Sequence, residues 1–290
     1  MFIKSPFNYI GGKYRILPQI LPLFPKNINT MIDVFSGGFT VGINTPSKTT
    51  ICNDHLTPII QLHKHLHDTP LNTTLDYIHK RIHEYGLSKT NKDSFKKFRH
   101  DYNTSKNKHP LDLYILMCFS YNYQARWNNK HQYNSSHGTN RSAYTRTTEK
   151  KLIKYTRALQ KKDILFKDKD FTQIKYEKLT TNDFAYFDPP YILSTGNYND
   201  GNRGYKNWTT KEEQELYTIL QTLTDNRIPF GLNNLLSHKG KHNTQLEKFI
   251  QDNKKNLKVY HITNNYQNSS YNNKKNNNKT TTELYITNEK

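Results

Sequence analysis

The stretch Phe184-Ala185-Tyr186-Phe187-Asp188-Pro189-Pro190-Tyr191 joins a run of four apolar residues to an acid, two prolines and a tyrosine. Such an apolar run is typical of a buried β-strand. Because proline lacks an N–H donor and has a fixed φ, the two prolines end the strand and leave the Asp188 carboxylate at the carboxyl edge of a sheet. Open α/β sheets bind their ligands at that edge. The stretch therefore predicts an α/β fold with a ligand pocket beside Asp188.

The residues from Asp188 to Tyr191 suit an exocyclic amino group on a nucleobase. The lone pair of such a nitrogen is delocalised into the ring, which makes the nitrogen a poor nucleophile. The Asp188 carboxylate and the Pro189 carbonyl would accept its hydrogens and favour a more tetrahedral nitrogen, in a turn completed by Pro190. The Tyr191 ring would stack on the base, which contributes about 1–3 kcal/mol. The alternative is an ordinary turn, since Asp-Pro and Pro-Pro are frequent in loops.

The charge balance indicates a polyanionic partner. Lys and Arg number 43 against 24 for Asp and Glu, a formal net charge of +19. A solvated surface or an AT-rich genome is the alternative explanation. Tyr and Phe are interleaved with the basic residues in the middle of the chain, as on surfaces that bind phosphates and stack bases. The composition therefore favours a nucleic-acid partner.

Several classes of protein receive no support from the sequence. It contains no run of membrane-spanning length and no apolar leader at its N-terminus, which predicts an intracellular, cytoplasmic protein. Cys52 and Cys118 are too few for a disulfide framework or a cysteine zinc site. His63, His65 and His67 do not share one face of a helix, so we predict no metal site. No obligate protein partner is inferred.

Two strand–helix units are predicted before residue 72. A strand at 30–35 runs into Ser36-Gly37-Gly38 and a helix at 39–43, and a second strand at 49–52 ends at Asn53-Asp54, before a helix at 57–67. A glycine pair lets a ligand approach the backbone closely, and an acid at the end of a second strand typically binds ribose hydroxyls. Each feature alone is more often a simple turn or a helix cap. Together they suit a nucleoside cofactor without a pyrophosphate, with S-adenosylmethionine as the first candidate.

The remaining sequence predicts a division into two domains. Residues 73–162 form an insertion domain for target recognition, and residues 1–72 and 163–290 form the catalytic domain. The insertion contains predicted helices at 75–85, 92–103, 111–119 and 149–160 and a polar aromatic hairpin or loop at 121–144. The later part contains predicted strands at 184–187, 228–232, 257–262 and 283–287 and helices at 210–223 and 244–251. Thr210 and Glu213 are expected to form a capping box for the helix at 210–223. Residues 264–279, rich in Asn, Lys and Ser, are either a mobile tip or a segment that a polyanion orders.

The order of these motifs resembles the Dam-type DNA adenine N6-methyltransferases, the alpha group of the D12 class, and in particular its bacteriophage members. The matching residues are Tyr9-Ile10-Gly11-Gly12-Lys13, Asp33-Val34-Phe35-Ser36-Gly37-Gly38, Asn53-Asp54, Asp170-Phe171, Asp188-Pro189-Pro190-Tyr191 and Glu283-Leu284-Tyr285-Ile286-Thr287-Asn288. The resemblance implies a Rossmann-like S-adenosylmethionine-dependent methyltransferase fold with a mostly helical DNA-recognition insertion. It also implies methyl transfer to adenine N6 in double-stranded DNA by base flipping, with GATC as the usual target of the family.

The resemblance implies particular site residues as well. The residues expected to contact S-adenosylmethionine are Tyr9, Ile10, Lys13, Asp54 and Asp188, with Phe35, Ser36 and Gly37 at its methionine end and Asp170 and Phe171 around its adenine. The residues expected in a DNA-reading hairpin and beside it are Tyr121, Asn122, Gln124, Arg126, Asn128, Ser136 and Arg141. Arginine can pair with guanine O6 and N7, although a phosphate contact is an equal alternative for Arg126. Gln124 and Ser136 replace an apolar wedge and a proline that are usual in the family, which leaves the target sequence open.

Two other functions remain alternatives. Exocyclic amines share the same chemistry, so RNA or cytosine N4 are alternative methyl acceptors. A catalytically idle DNA-binding homologue is the second alternative, although the intact Asp188 and Tyr191 disfavour it.

Overall fold

The computed structural model describes residues 2–9, 11–193, 208–263 and 281–289. The Asn- and Lys-rich segment at 264–279 and the cofactor candidate Ile10 lie outside these ranges. Of the helices in the described ranges, none is both long and apolar enough to cross a membrane.

Eight strands of the described residues form one sheet in the order β3-β2-β1-β4-β5-β8-β7, with β6 paired to β5. The strands are β1 (Thr30–Asp33), β2 (Thr49–Asn53), β3 (Asp163–Lys167), β4 (Phe184–Phe187), β5 (Phe230–His238), β6 (Lys241–His242), β7 (Lys258–Ile262) and β8 (Thr282–Thr287). Strands β3, β2, β1, β4 and β5 are parallel, whereas β8 is antiparallel to both β5 and β7. The predicted α/β, Rossmann-like fold is confirmed.

The centre of the sheet is the point where the strand order reverses. Strand β1 pairs with β2 on one side, Asp33 opposite Cys52, and with β4 on the other side, Asp33 opposite Tyr186. The chain therefore leaves β1 in one direction and returns through β4 in the other. A crevice forms between the carboxyl ends of β1 and β4, which is where doubly wound sheets bind ligands.

Helices cover both faces of the sheet. They are α1 (Leu17–Ile20), α2 (Thr40–Asn44), α3 (Thr57–Asp68), α4 (Leu71–Tyr85), α5 (Lys92–Thr104), α6 (Pro110–Phe119), α7 (Arg146–Leu159), α8 (Thr210–Asp225) and α9 (Thr244–Asp252). Helix α6 is buried along its whole length, and its side chains share one apolar cluster with α3, α4, α5 and α7. The predicted division at residues 72 and 73 lies inside α4, and the assignment of residues 73–162 to a separate domain stays a prediction.

Most predicted elements are present, and the differences have local causes. Strand β3 was not predicted, because it is an edge strand in which buried Ile164 stands between exposed Asp163 and Leu165. The capping box of α8 lies one residue earlier than predicted, with Thr209 as N-cap and Glu212 as its partner. Strand β5 continues to His238, because its polar residues beyond 232 find hydrogen-bond partners inside the protein.

Glu213 explains both the shifted cap and the long strand. Because Glu212 forms the capping box, the Glu213 carboxylate points into the protein and is completely buried. Four described side chains donate hydrogen bonds to it: Trp208 Nε1, Tyr217 Oη, Asn234 Nδ2 and Asn243 Nδ2. Glu213 therefore joins α8 to β5, to the N-cap of α9 and to the residue that precedes the α8 cap.

Replacing Glu213 with alanine is expected to lower the free energy of unfolding by about 3–5 kcal/mol, because buried donors then lack an acceptor. Urea denaturation followed by circular dichroism measures the change. The control is Glu247→Ala on α9, whose carboxylate is 53% exposed and paired with His242, and which should cost less than about 1 kcal/mol. Equal losses in the two variants would show that Glu213 is not a structural centre.

Candidate functional site

The carboxylate that follows β4 is held by a lysine from the N-terminal segment. Lys13 Nζ lies 2.7 Å from Asp188 Oδ2, and both side chains are largely buried. Lys13 Nζ also donates to the Gly11 carbonyl at 2.8 Å. Tyr191 Oη donates to Asp188 Oδ1 at 3.1 Å. Asp188 therefore has a fixed orientation at the switch point of the sheet.

The ring of Tyr191, which is expected to stack on the base, is enclosed in the structure. Its side chain is only 4% exposed, and Lys13 Nζ stands 5.1 Å from the centre of its ring. Its hydroxyl lies 3.1 Å from both Asp188 Oδ1 and Glu283 Oε1, so the two carboxyl groups share its single hydrogen. The hydroxyl of Tyr191 thus supports Asp188, and the stacking role of its ring stays a prediction.

Burial and two charged groups, Lys13 and Glu283, act on the pKa of the Asp188 carboxyl. Burial raises the pKa of the Asp188 carboxyl, the Lys13 ammonium lowers it, and the Glu283 carboxylate raises it. Glu283 lies in β8, on the far side of β5, and is buried. The sequence showed it only as part of a family motif, without a role.

The glycine turn between β1 and α2 forms the opposite wall of the crevice. Gly37 has φ of +45°, and a side chain there would place its Cβ 2.8 Å from the Tyr9 ring. A glycine is therefore needed both for the left-handed backbone and for the close approach of Tyr9. Ser36 is anchored by its N–H, which donates to the Asn53 carbonyl at 2.8 Å. The predicted residues Tyr9, Ser36 and Gly37 thus lie together.

Asp54 ties the end of β2 to this turn. Its Oδ2 accepts the Gly37 N–H at 2.8 Å, and its Oδ1 accepts the Leu56 N–H at 2.9 Å. Each carboxylate oxygen has two lone pairs, so both can accept a further hydrogen bond from a ligand hydroxyl. Asp54 therefore lies at the end of the second strand, where a carboxylate is expected to bind the hydroxyls of a ribose.

Asp33, at the end of β1, is a pocket residue whose role the sequence did not reveal. Its side chain accepts the Gly42 N–H at 2.9 Å. Burial raises the pKa of Asp33 to about 8, and the nearby Asp188 and Asp54 carboxylates add to the increase. Three carboxyl groups therefore share the crevice with one lysine, which makes the site receptive to a positively charged ligand.

An aromatic wall lies beside the crevice. The rings of Phe35 and Phe171 are 5.4 Å apart, and Trp208 contacts both, at 5.5 and 5.3 Å. Asp170 precedes Phe171 and caps its short helical turn through the Thr172 N–H at 3.0 Å. Phe35 and Phe171, which the resemblance assigns to different ends of the cofactor, therefore lie together, and Trp208 is an addition that its sequence position did not indicate.

The pocket at this edge has the composition that S-adenosylmethionine requires. Acidic groups and a lysine suit an ammonium and a carboxylate, the Asp54 oxygens suit ribose hydroxyls, and Phe35 adjoins the aromatic wall. Its lining residues are Tyr9, Gly11, Gly12, Lys13, Asp33, Phe35, Ser36, Gly37, Gly38, Thr40, Val41, Asp54, His55, Tyr186, Asp188, Pro189 and Pro190. The residues present therefore fit this cofactor.

The predicted reading element is a hairpin. Isolated bridges pair Ser120 with His137 and Trp127 with Tyr133. The side chains of Trp127 and Tyr133 are buried in the same apolar cluster as those of α5 and α6. The Asn122 carbonyl accepts from Asn8 Nδ2 at 2.6 Å, which places the hairpin next to the segment that carries Tyr9. The hairpin therefore stands beside the crevice.

The seven predicted reading residues fall into groups. Tyr121 is 44% exposed, and the Arg141 guanidinium lies 6.0 Å from its ring. Arg126 Nη2 donates to Gln124 Oε1 at 2.8 Å, and Arg126 Nε is buried without a protein acceptor. The remaining three shape or border the hairpin: Asn122 has positive φ, Asn128 Oδ1 accepts two turn N–H groups, and Ser136 is exposed.

The three histidines of α3 have different surroundings. His63 faces the Gly37 carbonyl, His65 packs against His109, and His67 pairs with Asp68. Among the described residues, no group of three or more His, Cys, Asp or Glu side chains is arranged to hold a metal ion.

Comparisons with known proteins agree with the motif order. The family model described as D12 class N6 adenine-specific DNA methyltransferase matches residues 9–285. The chain is 46% identical over 270 residues to Modification methylase StsI of Streptococcus sanguinis, and 43% identical over 270 residues to Type II methyltransferase M.FokI of Planomicrobium okeanokoites. Each alignment covers 93% of this chain and 41% of the relative. Modification methylase LlaI of Lactococcus lactis subsp. lactis is 30% identical over 250 residues, 86% of this chain and 39% of the relative. The chain thus spans about two fifths of the length of these relatives.

Proposed function

The chain belongs to the D12 class of N6 adenine-specific DNA methyltransferases, and we propose that it methylates adenine N6 at a specific site in double-stranded DNA. The observation that carries the proposal is the position of Asp188, a carboxylate that is 17% exposed and fixed by Lys13 and Tyr191 at the switch point of the sheet. The relatives are named as modification methylases or as a type II methyltransferase. The narrower likeness to bacteriophage members stays a prediction.

We propose that S-adenosylmethionine is the methyl donor, bound in the crevice, where it supplies an electrophilic methyl group. Lys13 would bind its carboxylate and Asp188 its ammonium, while Ser36 and Gly37 border this end. Tyr9 would cover the methionine end of the cofactor. Ile10 is assigned to the cofactor site only because it belongs to the same motif as Tyr9 and Lys13. The remaining assignments are Asp54 to the ribose hydroxyls and Asp170 and Phe171 to the adenine. Phe35, which the resemblance places at the methionine end, packs 5.4 Å from Phe171 and is proposed here to border the adenine instead.

The reaction needs two hydrogen-bond acceptors near the amino nitrogen. The Asp188 carboxylate and the Pro189 carbonyl would hold the two hydrogens of the amino group and direct its lone pair toward the methyl. Pro190 keeps the turn rigid, and Tyr191 keeps Asp188 in place. Fixed acceptors of this kind stabilise developing positive charge without reorganisation, which is commonly the largest contribution to rate.

The target adenine must leave the duplex to reach this carboxylate. Unpairing and unstacking cost a few kcal/mol, which contacts in the pocket offset. The Tyr191 ring is only 4% exposed, so stacking on the flipped base requires that this ring become more accessible. Base flipping is therefore part of the proposal.

The hairpin at residues 120–137 would read the sequence around the target. Gln124 orients the Arg126 guanidinium by accepting from Nη2, and the arginine side chain is only half-buried. An oriented guanidinium can pair with guanine in the major groove. Tyr121 and Arg141 would contact neighbouring bases, Asn122 and Asn128 would support the backbone, and exposed Ser136 would face the DNA. GATC is the first sequence to test.

Replacing Arg126 with alanine is expected to relax the site preference, since one bidentate arginine–guanine contact contributes about 1–3 kcal/mol of discrimination. The measurement is the rate of methyl transfer to the preferred duplex and to single-base variants of it. Lys130→Ala at the exposed hairpin turn is the matched control, because loss of a phosphate contact weakens binding evenly across sequences. An unchanged sequence profile in Arg126→Ala would remove this residue from the reading surface.

One experiment tests the proposed function as a whole. The chain is expressed in a host without DNA methylation, and modified bases are mapped by single-molecule sequencing. We expect N6-methyladenine at one short recurrent sequence, and cleavage by a methyl-dependent GATC endonuclease shows whether that sequence is GATC. Labelled-methyl transfer to duplex DNA and to RNA is compared in parallel. Modification of cytosine N4 or of RNA, or no modification at all, would overturn the proposal.

A further inference from the structure

His63 lies at the centre of a buried connection between the insertion and the glycine turn. Its side chain belongs to α3 and has no exposed surface. One ring nitrogen, Nε2, lies 2.8 Å from the Gly37 carbonyl, and the other, Nδ1, lies 2.8 Å from the hydroxyl of Tyr155 on α7. The catalytic steps proposed above make no use of this histidine.

The partners determine which nitrogen carries the proton. A carbonyl can only accept, so His63 Nε2 donates to Gly37. Burial lowers the pKa of His63 to about 4, so the imidazole is neutral near pH 7 and carries a single N–H. Nδ1 is then an acceptor, and the Tyr155 hydroxyl donates to it.

These bonds hold the Gly37 residue at both of its polar groups. Its carbonyl is held by His63, and its N–H donates to Asp54 Oδ2 at 2.8 Å. Three consecutive hydrogen bonds thus lead from Tyr155 through His63 and Gly37 to Asp54. The backbone of Gly37 has positive φ, a conformation that its surroundings must maintain.

The apolar surroundings make the arrangement rigid. Phe7, His63 and Tyr155 form a cluster of rings with centroid separations of 5.1 to 5.9 Å. Water has no access to His63, so a removed hydroxyl would not be replaced and Nδ1 would stay unsatisfied.

We propose that His63 and Tyr155 are positioning residues that orient the Gly37 turn and Asp54 for cofactor binding, and so connect the last helix of the insertion to the cofactor pocket. The inference rests on the proposed function, because it takes the crevice to be the S-adenosylmethionine site. Neither residue touches the crevice, so both act through the turn.

The variant that isolates the connection is Tyr155→Phe, which removes only a hydroxyl. Loss of one buried hydrogen bond is expected to raise the Kd of S-adenosylmethionine about tenfold, measured by calorimetry without DNA. KM for the cofactor should rise by a similar factor, while kcat at saturating cofactor stays within about twofold of the parent. His63→Leu removes both bonds and should have a larger effect, and His63→Gln, which restores a donor toward Gly37, should recover part of it.

The matched control is Tyr85→Phe. Tyr85 also donates a 2.8 Å hydrogen bond, to Asp101 within the insertion, far from the glycine turn. Tyr85→Phe should leave the cofactor Kd unchanged, even if it lowers the melting temperature as much as Tyr155→Phe does. Equal cofactor affinity in Tyr155→Phe and the parent would overturn the proposal.

A second measurement remains valid if the cofactor assignment fails. Hydrogen exchange of the Gly37 amide, followed by NMR, should be about tenfold faster in Tyr155→Phe than in the parent and unchanged in Tyr85→Phe. An unchanged exchange rate in Tyr155→Phe would show that Gly37 does not depend on the connection. If the parent does not bind S-adenosylmethionine, the proposed function is wrong, and the exchange rates still decide whether Tyr155 orients Gly37.

Discussion

Replacing Asp188 with alanine is expected to reduce kcat for methyl transfer by about 1,000-fold or more, because the reaction then lacks its fixed anionic acceptor. Incorporation of labelled methyl groups into duplex DNA measures the loss. DNA binding, measured by fluorescence anisotropy, should stay within a few-fold of the parent, since Asp188 lies in the crevice and not in the hairpin that is proposed to read the DNA.

Two further variants give this result its meaning. Asp188→Asn keeps the size of the side chain and one acceptor, so it should lose less activity than alanine and still lose most of it. Asp168→Ala, an exposed acid just after β3, should transfer methyl groups at the parental rate. Near-parental activity in Asp188→Ala would contradict the assignment of the catalytic residue.

Replacing Lys13 with methionine is expected to reduce activity at pH 7 about 100-fold and to move the acid limb of the pH–rate profile to higher pH. Burial already raises the pKa of the Asp188 carboxyl, and Lys13 opposes that increase. An adjacent cation commonly lowers a carboxyl pKa by about 1–3 units, so the loss of Lys13 raises the pKa of Asp188 further and increases its protonated fraction at a given pH. A protonated Asp188 is a weaker acceptor, and activity should therefore recover in part as the pH rises.

The measurement is kcat from pH 6 to pH 10 at saturating cofactor. Lys13 is also assigned to the cofactor carboxylate, so KM for S-adenosylmethionine should rise in the same variant. Lys64→Met on α3, where the lysine is 61% exposed, is the control and should keep the parental profile. A Lys13→Met profile with an unmoved acid limb would show that Lys13 does not control the charge of Asp188.

The parts of the site that could be predicted are the functional residues that come directly after a predicted strand. Ser36, Gly37, Asp54 and Asp188 each come directly after an apolar run or close to one, and parallel strands bring their carboxyl ends to one edge. Their proximity therefore follows from the fold class alone. Glu283 and Trp208 carry no such local signal, because their contacts depend on strand order and on the packing of α8.

Sequence patterns were sufficient to predict the α/β fold, the chain order of the strands that carry the motifs, and the family. These predictions depend on apolar runs, glycine turns and proline breaks, which are properties of neighbouring residues. Three contacts could be found only in the folded chain: Lys13 pairs with Asp188, the Tyr191 hydroxyl lies beside Glu283, and His63 connects Tyr155 to Gly37. Each of these contacts joins segments distant in the chain, and the direction of a buried side chain is set by the partner that satisfies its polar atoms.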